Sequence, residues 1–151
     1  MHTSSGRTGH SDKCRNDCVL AGGTKPVYKA KDVVHLKGVE AIMRALQDGP
    51  VDVTFNVYGD FEELWALGNL PQYRDVVYSK GWNQRHDTGG YKGLHSVTLV
   101  GYGTINATDY WLIQNSWGKS GGIDDSGFIR MRRGTNECGV ETLAYTGWPA
   151  A

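Results

Sequence analysis

The sequence predicts an α+β fold in which one helix precedes a group of β-strands. Apolar residues repeat with helical spacing over residues 37–47, and apolar and polar residues alternate strictly over residues 51–57. Short segments rich in β-branched or aromatic residues follow at 96–100, 110–113 and 128–131, separated by glycine-rich connections. At 151 residues the chain has the length of one domain.

The predicted helix buries one face and stops abruptly. Its apolar positions are spaced i, i+3, i+4 and i+7, and they are Val39, Ile42, Met43 and Leu46. Gly49-Pro50 ends the helix, and the alternating strand begins directly afterwards. A short helix is predicted over residues 60–67. Residues 68–91 are predicted to be a loop, long enough to carry a function or an insertion.

Composition and charge exclude several classes of protein. Hydrophobic residues make up 39% of the chain and charged residues 21%, as in ordinary globular proteins. The 16 basic and 16 acidic side chains cancel, so we expect no nucleic-acid partner. No segment approaches the ~20 apolar residues that span a bilayer, so no membrane partner is expected. Residues 1–13 are polar and are predicted to be a disordered lead; the domain is assigned to 14–151.

The cysteines cannot all pair with one another within the chain. There are three, Cys14, Cys18 and Cys138, and an odd number cannot close internally. Either one thiol is free, or some partners lie on another polypeptide. We predict no cofactor and no metal.

Two polar residues beside apolar strands are candidates for chemistry. His95 precedes one strand segment and Asn115 follows another, so an amide at the sheet rim can fix the tautomer of an imidazole. Each residue alone is more simply a structural side chain. The same holds for Trp117, since tryptophan is more often found in a core than in a site.

Taken in order, these residues resemble the histidine and asparagine motifs of papain-like cysteine peptidases. Residues 93–103 read Gly-x-His-x-Val-x-x-x-Gly-Tyr-Gly, and residues 110–118 read Tyr-Trp-Leu-x-x-Asn-Ser-Trp-Gly. The resemblance covers most of the chain from Cys14 onward. Within the family, the chain resembles the cathepsin B branch most. Two motifs carry this resemblance, Cys14-x-x-x-Cys18 and Tyr-Gly-Asp-Phe at 58–61.

The resemblance implies a split site. The chain would be the C-terminal, antiparallel β-barrel-like half of the fold with an edge helix, and the N-terminal half would be absent. His95 would be the catalytic imidazole, Asn115 its orienting partner, and Trp117 a shield for their hydrogen bond. The absent half would supply the nucleophilic cysteine, the oxyanion glutamine and disulfide partners for Cys14 and Cys18. The resemblance also implies that Cys138 is a free, buried thiol. Nothing in the sequence places it at a helix N-terminus, so it is not expected to be a nucleophile.

The same resemblance implies substrate contacts at Gly93, Leu94, Ser96 and Leu143. The position of Leu143 is acidic in cathepsin B and admits arginine, so we expect apolar or aromatic side chains to be preferred here. The chain departs from the family at Leu94, which stands where Gly, Asn or Asp is usual, and this side chain is expected to narrow the cleft. It also departs at Gly121-Gly122, which replace a second Trp-Gly.

The implied function is a cysteine-type peptidase, either an endopeptidase or a dipeptidyl-peptidase, acting on peptides and proteins. The isolated chain is expected to be inactive. The family implies a lysosomal or secreted location, and the tripeptide at Asn106 matches an N-glycosylation acceptor. The alternative is an inactive, peptidase-derived binding or scaffold protein, or a truncated relic. The presence of both His95 and Asn115 favours the enzyme.

Overall fold

The computed structural model describes residues 29–83 and 89–150, and the predicted lead at 1–13, Cys14 and Cys18 lie outside them. The elements in chain order are β1 (Ala30–Leu36), α1 (Val39–Ala45), β2 (Val51–Tyr58), α2 (Gly59–Leu67), β3 (Tyr91–Ile105), β4 (Thr108–Gln114), β5 (Phe128–Arg132) and β6 (Leu143–Pro149). Three short 3₁₀ turns lie at Pro71–Tyr73, Ile123–Asp125 and Glu137–Gly139.

The strands form one sheet in the order β1-β6-β2-β3-β4-β5, with every neighbouring pair antiparallel. The predicted α+β class is therefore confirmed. Within the described residues the sheet is open, with β1 and β5 at its edges, so "barrel-like" applies only loosely. β3 and β4 lie towards one side of the sheet and are joined by a tight turn at 106–107.

The core lies between one face of the sheet and the two helices. The alternation that predicted β2 gives the buried positions Val51, Val53, Phe55 and Val57. Ile42 is the buried residue of α1. α2 contributes Phe61, Leu64 and Trp65, which are spaced i, i+3 and i+4 and lie on one helical face. This packing places α2 beside the end of β2 nearest the candidate site.

Several boundaries differ from the predicted ones. α1 is shorter than 37–47, and β3 runs well beyond 96–100 because its outer half pairs with β4 along a hairpin. β1 and β6 were not predicted. β1 is exposed along most of its length and has a register shift at Asp32, which has a φ of 52°. β6 contains Gly147 and Pro149, which disfavour strands, so tertiary pairing must outweigh local propensity.

The segment after α2 is fixed by a buried carboxylate. Asp60 is 2% exposed and accepts hydrogen bonds from the Tyr78 hydroxyl (2.8 Å) and the Gly81 amide (2.6 Å). Trp82 donates its indole N–H to the Asp60 carbonyl at 2.9 Å. Burial, together with the neighbouring Cys138 and Asp60, raises the pKa of Tyr78 well above its ordinary value. The hydroxyl therefore stays protonated and serves as a donor.

A second buried carboxylate fixes the turn before β6. Glu141 is 8% exposed and accepts from the Trp111 indole N–H at 3.0 Å. It also accepts from the backbone amides of Gly134 (2.7 Å) and Asn136 (2.9 Å). One side chain thus connects β4, the turn after β5 and the start of β6.

Candidate active site

His95 and Asn115 meet on neighbouring strands. β3 pairs with β4, and the register places Thr98 opposite Gln114, so the end of β4 lies close to His95. Asn115 follows the last residue of β4, as predicted. His95 lies inside β3, opposite Phe55 of β2, rather than at the end of a strand. The strand was expected to begin at 96, but the pairing with β2 extends it in front of the histidine.

One short hydrogen bond joins the two side chains. The distance from His95 Nε2 to Asn115 Oδ1 is 2.8 Å. The backbone amide of Ser116 donates to the same oxygen at 2.8 Å, which identifies this atom of the amide as the acceptor. Because an amide oxygen only accepts, Nε2 must carry the proton. In the neutral ring Nδ1 is then the basic nitrogen, and it has no hydrogen-bond partner among the described residues.

A backbone hydrogen bond holds Asn115 in place. Its N–H donates to the Gly127 carbonyl at 3.0 Å, and the residue is 8% exposed. Its amide nitrogen Nδ2 is buried and makes no hydrogen bond within residues 29–83 and 89–150. An unpaired buried donor costs about 1–3 kcal/mol. The orientation of Oδ1 towards the imidazole is therefore maintained at a cost in stability.

Trp117 covers the imidazole. Its ring stacks on His95 with centroids 4.9 Å apart and an angle of 25° between the planes. Phe55 meets the histidine ring edge-on at 5.9 Å. Phe61 and Trp65 of α2 in turn contact the Trp117 ring edge-on, at 5.8 and 5.7 Å. The histidine is thus held between aromatic rings, although Trp117 itself is 40% exposed.

A small pocket of about 140 Å³ opens beside the histidine. It is lined by Val57, Glu62, Lys92, Gly93, Leu94, His95 and Trp117. Gly93 has a φ of 131°, a conformation that favours glycine, and Leu94 beside it is 64% exposed. Of the residues predicted to contact substrate, Gly93 and Leu94 therefore share a pocket with His95.

Ser96 and Leu143 lie apart from that pocket, in a row across three strands. Thr54 of β2 is opposite Ser96 of β3 on one side and opposite Leu143 of β6 on the other. The Thr54 and Ser96 hydroxyls are 2.6 Å apart. Since side chains alternate along a strand, this row lies on the face opposite to that of His95. Sequence reasoning missed Thr54, because only strand register reveals it.

Trp65 and Gly127 were also missed. The i, i+3, i+4 spacing of the apolar residues of α2 accounts for the burial of Trp65, but it does not indicate the contact with Trp117. Nothing in the sequence indicates that the Gly127 carbonyl binds the Asn115 backbone. Asn106 is exposed with a φ of 47°, in the turn between β3 and β4, where its side chain is accessible. Glycosylation there stays a prediction.

Cys138, the only cysteine in the described part of the chain, has the environment of an unreactive thiol. It lies in the Glu137–Gly139 turn, half-buried, with Sγ 3.5 Å from the Glu137 carboxylate and 3.9 Å from the Tyr78 hydroxyl. Burial raises its pKa to about 12, and the charge of Glu137 adds to the effect. A thiol that stays protonated at neutral pH is a poor nucleophile.

We expect iodoacetamide to label Cys138 slowly in the native protein. At pH 8 the higher pKa reduces the thiolate fraction, and after allowing for the greater reactivity of a more basic thiolate the rate should fall roughly 30-fold below that in urea. Peptide mass spectrometry measures both rates. Equal labelling rates in native and unfolded protein would contradict the assignment of Cys138 as an unreactive thiol.

The raised pKa of Cys138 also predicts a pH dependence of stability. Because the folded state binds the thiol proton more tightly, the free energy of unfolding should decline between pH 9.0 and about 12.

The described residues contain neither a candidate metal site nor a candidate membrane-spanning helix. No group of three or more His, Cys, Asp or Glu side chains is placed to hold a metal ion within residues 29–83 and 89–150. In those same residues, no helix has the length and apolar character needed to cross a bilayer.

Comparisons with known proteins agree with this fold. The model of the papain family cysteine proteases matches residues 3–148. The chain is 38% identical over 147 residues to cathepsin B-like CP3 of Giardia intestinalis, covering 95% of this chain and 44% of the relative. It is 34% identical to cathepsin B-like protease 1 of Arabidopsis thaliana, covering 91% and 33%. The solved structure of procathepsin B S9 from Trypanosoma congolense superposes with a TM-score of 0.71 at 31% identity, covering 93% of this chain and 43% of that one.

The architecture is that of the C-terminal half of the papain-like fold. The chain belongs to the papain family of cysteine proteases, and the relatives above are cathepsin B-like. It spans less than half the length of these relatives.

Proposed function

We propose that this chain supplies the histidine and asparagine of a Cys-His-Asn peptidase site, completed by a nucleophile-bearing N-terminal half on the same or a separate chain. One observation carries the proposal: Asn115 Oδ1 fixes the proton on His95 Nε2 and leaves Nδ1 free to act as a base. In this role His95 and Asn115 form the catalytic dyad, and Trp117 supports them by covering their hydrogen bond.

The chemistry follows from this tautomer. Nδ1 takes the proton of the cysteine thiol, giving a thiolate and an imidazolium. The thiolate attacks the peptide carbonyl, and Nδ1–H donates its proton to the leaving amine as the C–N bond breaks. Water then attacks the thioester, with Nδ1 as general base, and releases the acid and the thiol. Throughout, Asn115 stabilises the ring by accepting from Nε2–H.

Exposed apolar side chains around the site support a second surface that covers it. Leu94 is 64% exposed and Trp117 is 40% exposed, and both line the pocket beside the histidine. An apolar rim next to a polar pair is typical of a site completed by another surface. Peptide substrates and passage to a lysosomal or extracellular compartment belong to the same proposal. Disulfides from Cys14 and Cys18 to the second half are also part of it.

The proposal predicts what the transcript encodes. An open frame upstream of Met1, or a separate chain, should encode Gln followed by Gly-Ser-Cys-Trp. The complete protein should hydrolyse peptide amides and lose this activity on alkylation of the new cysteine, whereas the isolated chain should be inactive. A true start at Met1 with no second chain supplying the cysteine would favour a non-catalytic binding protein instead.

The row formed by Ser96, Thr54 and Leu143 is proposed as the subsite that selects the substrate side chain. Leu143 is 37% exposed and offers an apolar wall, so the complete enzyme should prefer Phe or Leu to Arg there. Leu143→Glu should raise kcat/KM for the Arg substrate about tenfold by adding an opposite charge. Tyr145→Glu, two residues along β6, is the control of equal charge. A wild-type preference for Arg at this subsite in a peptide library would contradict this assignment.

A further inference from the structure

Two bare glycines lie against the indole of Trp65. A methyl carbon added at Gly121 would lie 2.6 Å from Cε2 of Trp65, and one at Gly122 would lie 2.9 Å from Cζ3 of the same ring. The Gly122 amide also donates to the Trp65 carbonyl at 2.8 Å. The helix and this loop therefore fit together only because the two loop residues have no side chains.

The two glycines differ in what excludes a side chain. Gly122 has a φ of 74°, so its backbone alone favours glycine. The φ of Gly121 lies outside the left-handed region, so its backbone conformation does not by itself favour glycine. The indole of Trp65 is thus what fills the space that a side chain at 121 would occupy. Position 121 is also where the family resemblance leads one to expect tryptophan.

Trp65 reaches the catalytic pair by two routes. Its ring packs edge-on against Trp117 at 5.7 Å, and Trp117 stacks on His95. Its carbonyl holds Gly122, while the neighbouring Gly121 carbonyl accepts from the Gly127 amide at 3.1 Å. The Gly127 carbonyl then binds the Asn115 amide. Trp65 thus supports His95 through its indole and Asn115 through its backbone carbonyl.

We infer that Trp65 is a positioning residue for the His95–Asn115 pair, and that it supplies from α2 the indole that position 121 does not carry. The inference rests on the proposed function of that pair. Trp65 touches neither substrate nor reacting atoms in this role. It fixes the Trp117 ring, which apart from its stacking on His95 would keep only the edge-on contact with Phe61.

The decisive variants exchange the two positions in the purified protein. Trp65→Ala removes the indole, Gly121→Trp adds one on the loop, and the double variant moves it from helix to loop. Trp82→Ala is the matched control, because that indole packs on Tyr73 and not on the dyad. The readout is the exchange rate of the His95 Nε2–H proton with water, measured by NMR, beside the thermal midpoint.

We expect Trp65→Ala to speed the exchange of the His95 Nε2–H proton at least about tenfold. Trp82→Ala should lose a similar amount of thermal stability but leave this exchange rate near that of the wild type. Gly121→Trp alone should destabilise the fold, since its ring meets Trp65. The double variant should regain both stability and slow exchange. Unchanged exchange in Trp65→Ala, or a double variant no better than the sum of the single ones, would overturn the inference.

The experiment separates the two proposals. An unprotected Nε2–H in the wild-type protein would count against the catalytic pair itself. Protection in the wild type that survives in Trp65→Ala would remove only the role of Trp65. Should Trp65→Ala fail to fold, a folded double variant with slow exchange still supports the inference, and an unfolded double variant contradicts it.

Discussion

Replacing His95 by alanine in the complete protein is expected to lower kcat/KM for a peptide amide by about 10³-fold or more. The variant removes the base that generates the thiolate and the acid that protonates the leaving amine. It leaves Asn115 Oδ1 bonded to the Ser116 amide, so the loop should keep its conformation. Steady-state kinetics with a fluorogenic peptide, after titration of active sites, gives the ratio.

His35→Ala is the matched control for this loss. His35 is an exposed histidine of β1, stacked on Tyr145 and bonded to the Thr142 carbonyl, with no contact to the dyad. Its removal should leave kcat/KM within about twofold of the wild type, as is usual for a surface change away from the site. A His95→Ala enzyme that kept a tenth or more of wild-type activity would contradict the assigned role.

Removing the buried carboxylate at 141 should cause the largest loss of stability outside the apolar core. Glu141→Ala leaves three donors without a partner: the Trp111 indole N–H and the amides of Gly134 and Asn136. Trp111 is fully buried, so water cannot replace the acceptor that its indole loses, and the two backbone amides lose bonds to a charged acceptor. The free energy of unfolding should fall by about 3 kcal/mol. Urea titration followed by circular dichroism measures the change.

Glu40→Ala separates this effect from the general effect of losing a carboxylate. Glu40 lies on α1 with 90% of its side chain exposed, and it faces Arg44 at 3.9 Å. Such pairs contribute only about 0.3–0.5 kcal/mol. Equal losses in the two variants would mean that Glu141 is not the anchor of its turn.

The periodic parts of the fold were predictable from the sequence, and the parts set by pairing were not. The alternation at 51–57 predicted β2 because every second residue there enters the core. β6 carries glycine and proline, and it exists because β1 and β2 flank it. β1 is exposed, so its composition contains no core pattern. Edge strands of this kind are set by partners distant in sequence.

In the candidate site, too, some residues could be predicted from sequence motifs and others depend on strand pairing. His95 and Asn115 could be named because the order of the motifs around them is specific, and the structure brings the two within 2.8 Å. Thr54 could not be named, since its place between Ser96 and Leu143 depends on the register of three strands. Trp65 could not be placed either, because its contact with Trp117 joins a helix to a loop 52 residues further along the chain.

The tight turn at 106–107 has a consequence for how a complete enzyme would assemble. It joins β3, which carries His95, to β4, which Asn115 directly follows, so a local hairpin brings the two residues near each other, and hairpins are among the earliest structures a chain makes. Contacts with β2, α2 and the Gly127 carbonyl then complete their orientation. A second surface arriving later would meet an imidazole that is already oriented. Association would then cost little ordering entropy at the dyad itself, and the rate at which the two proposed halves join would be governed by encounter and by the apolar rim.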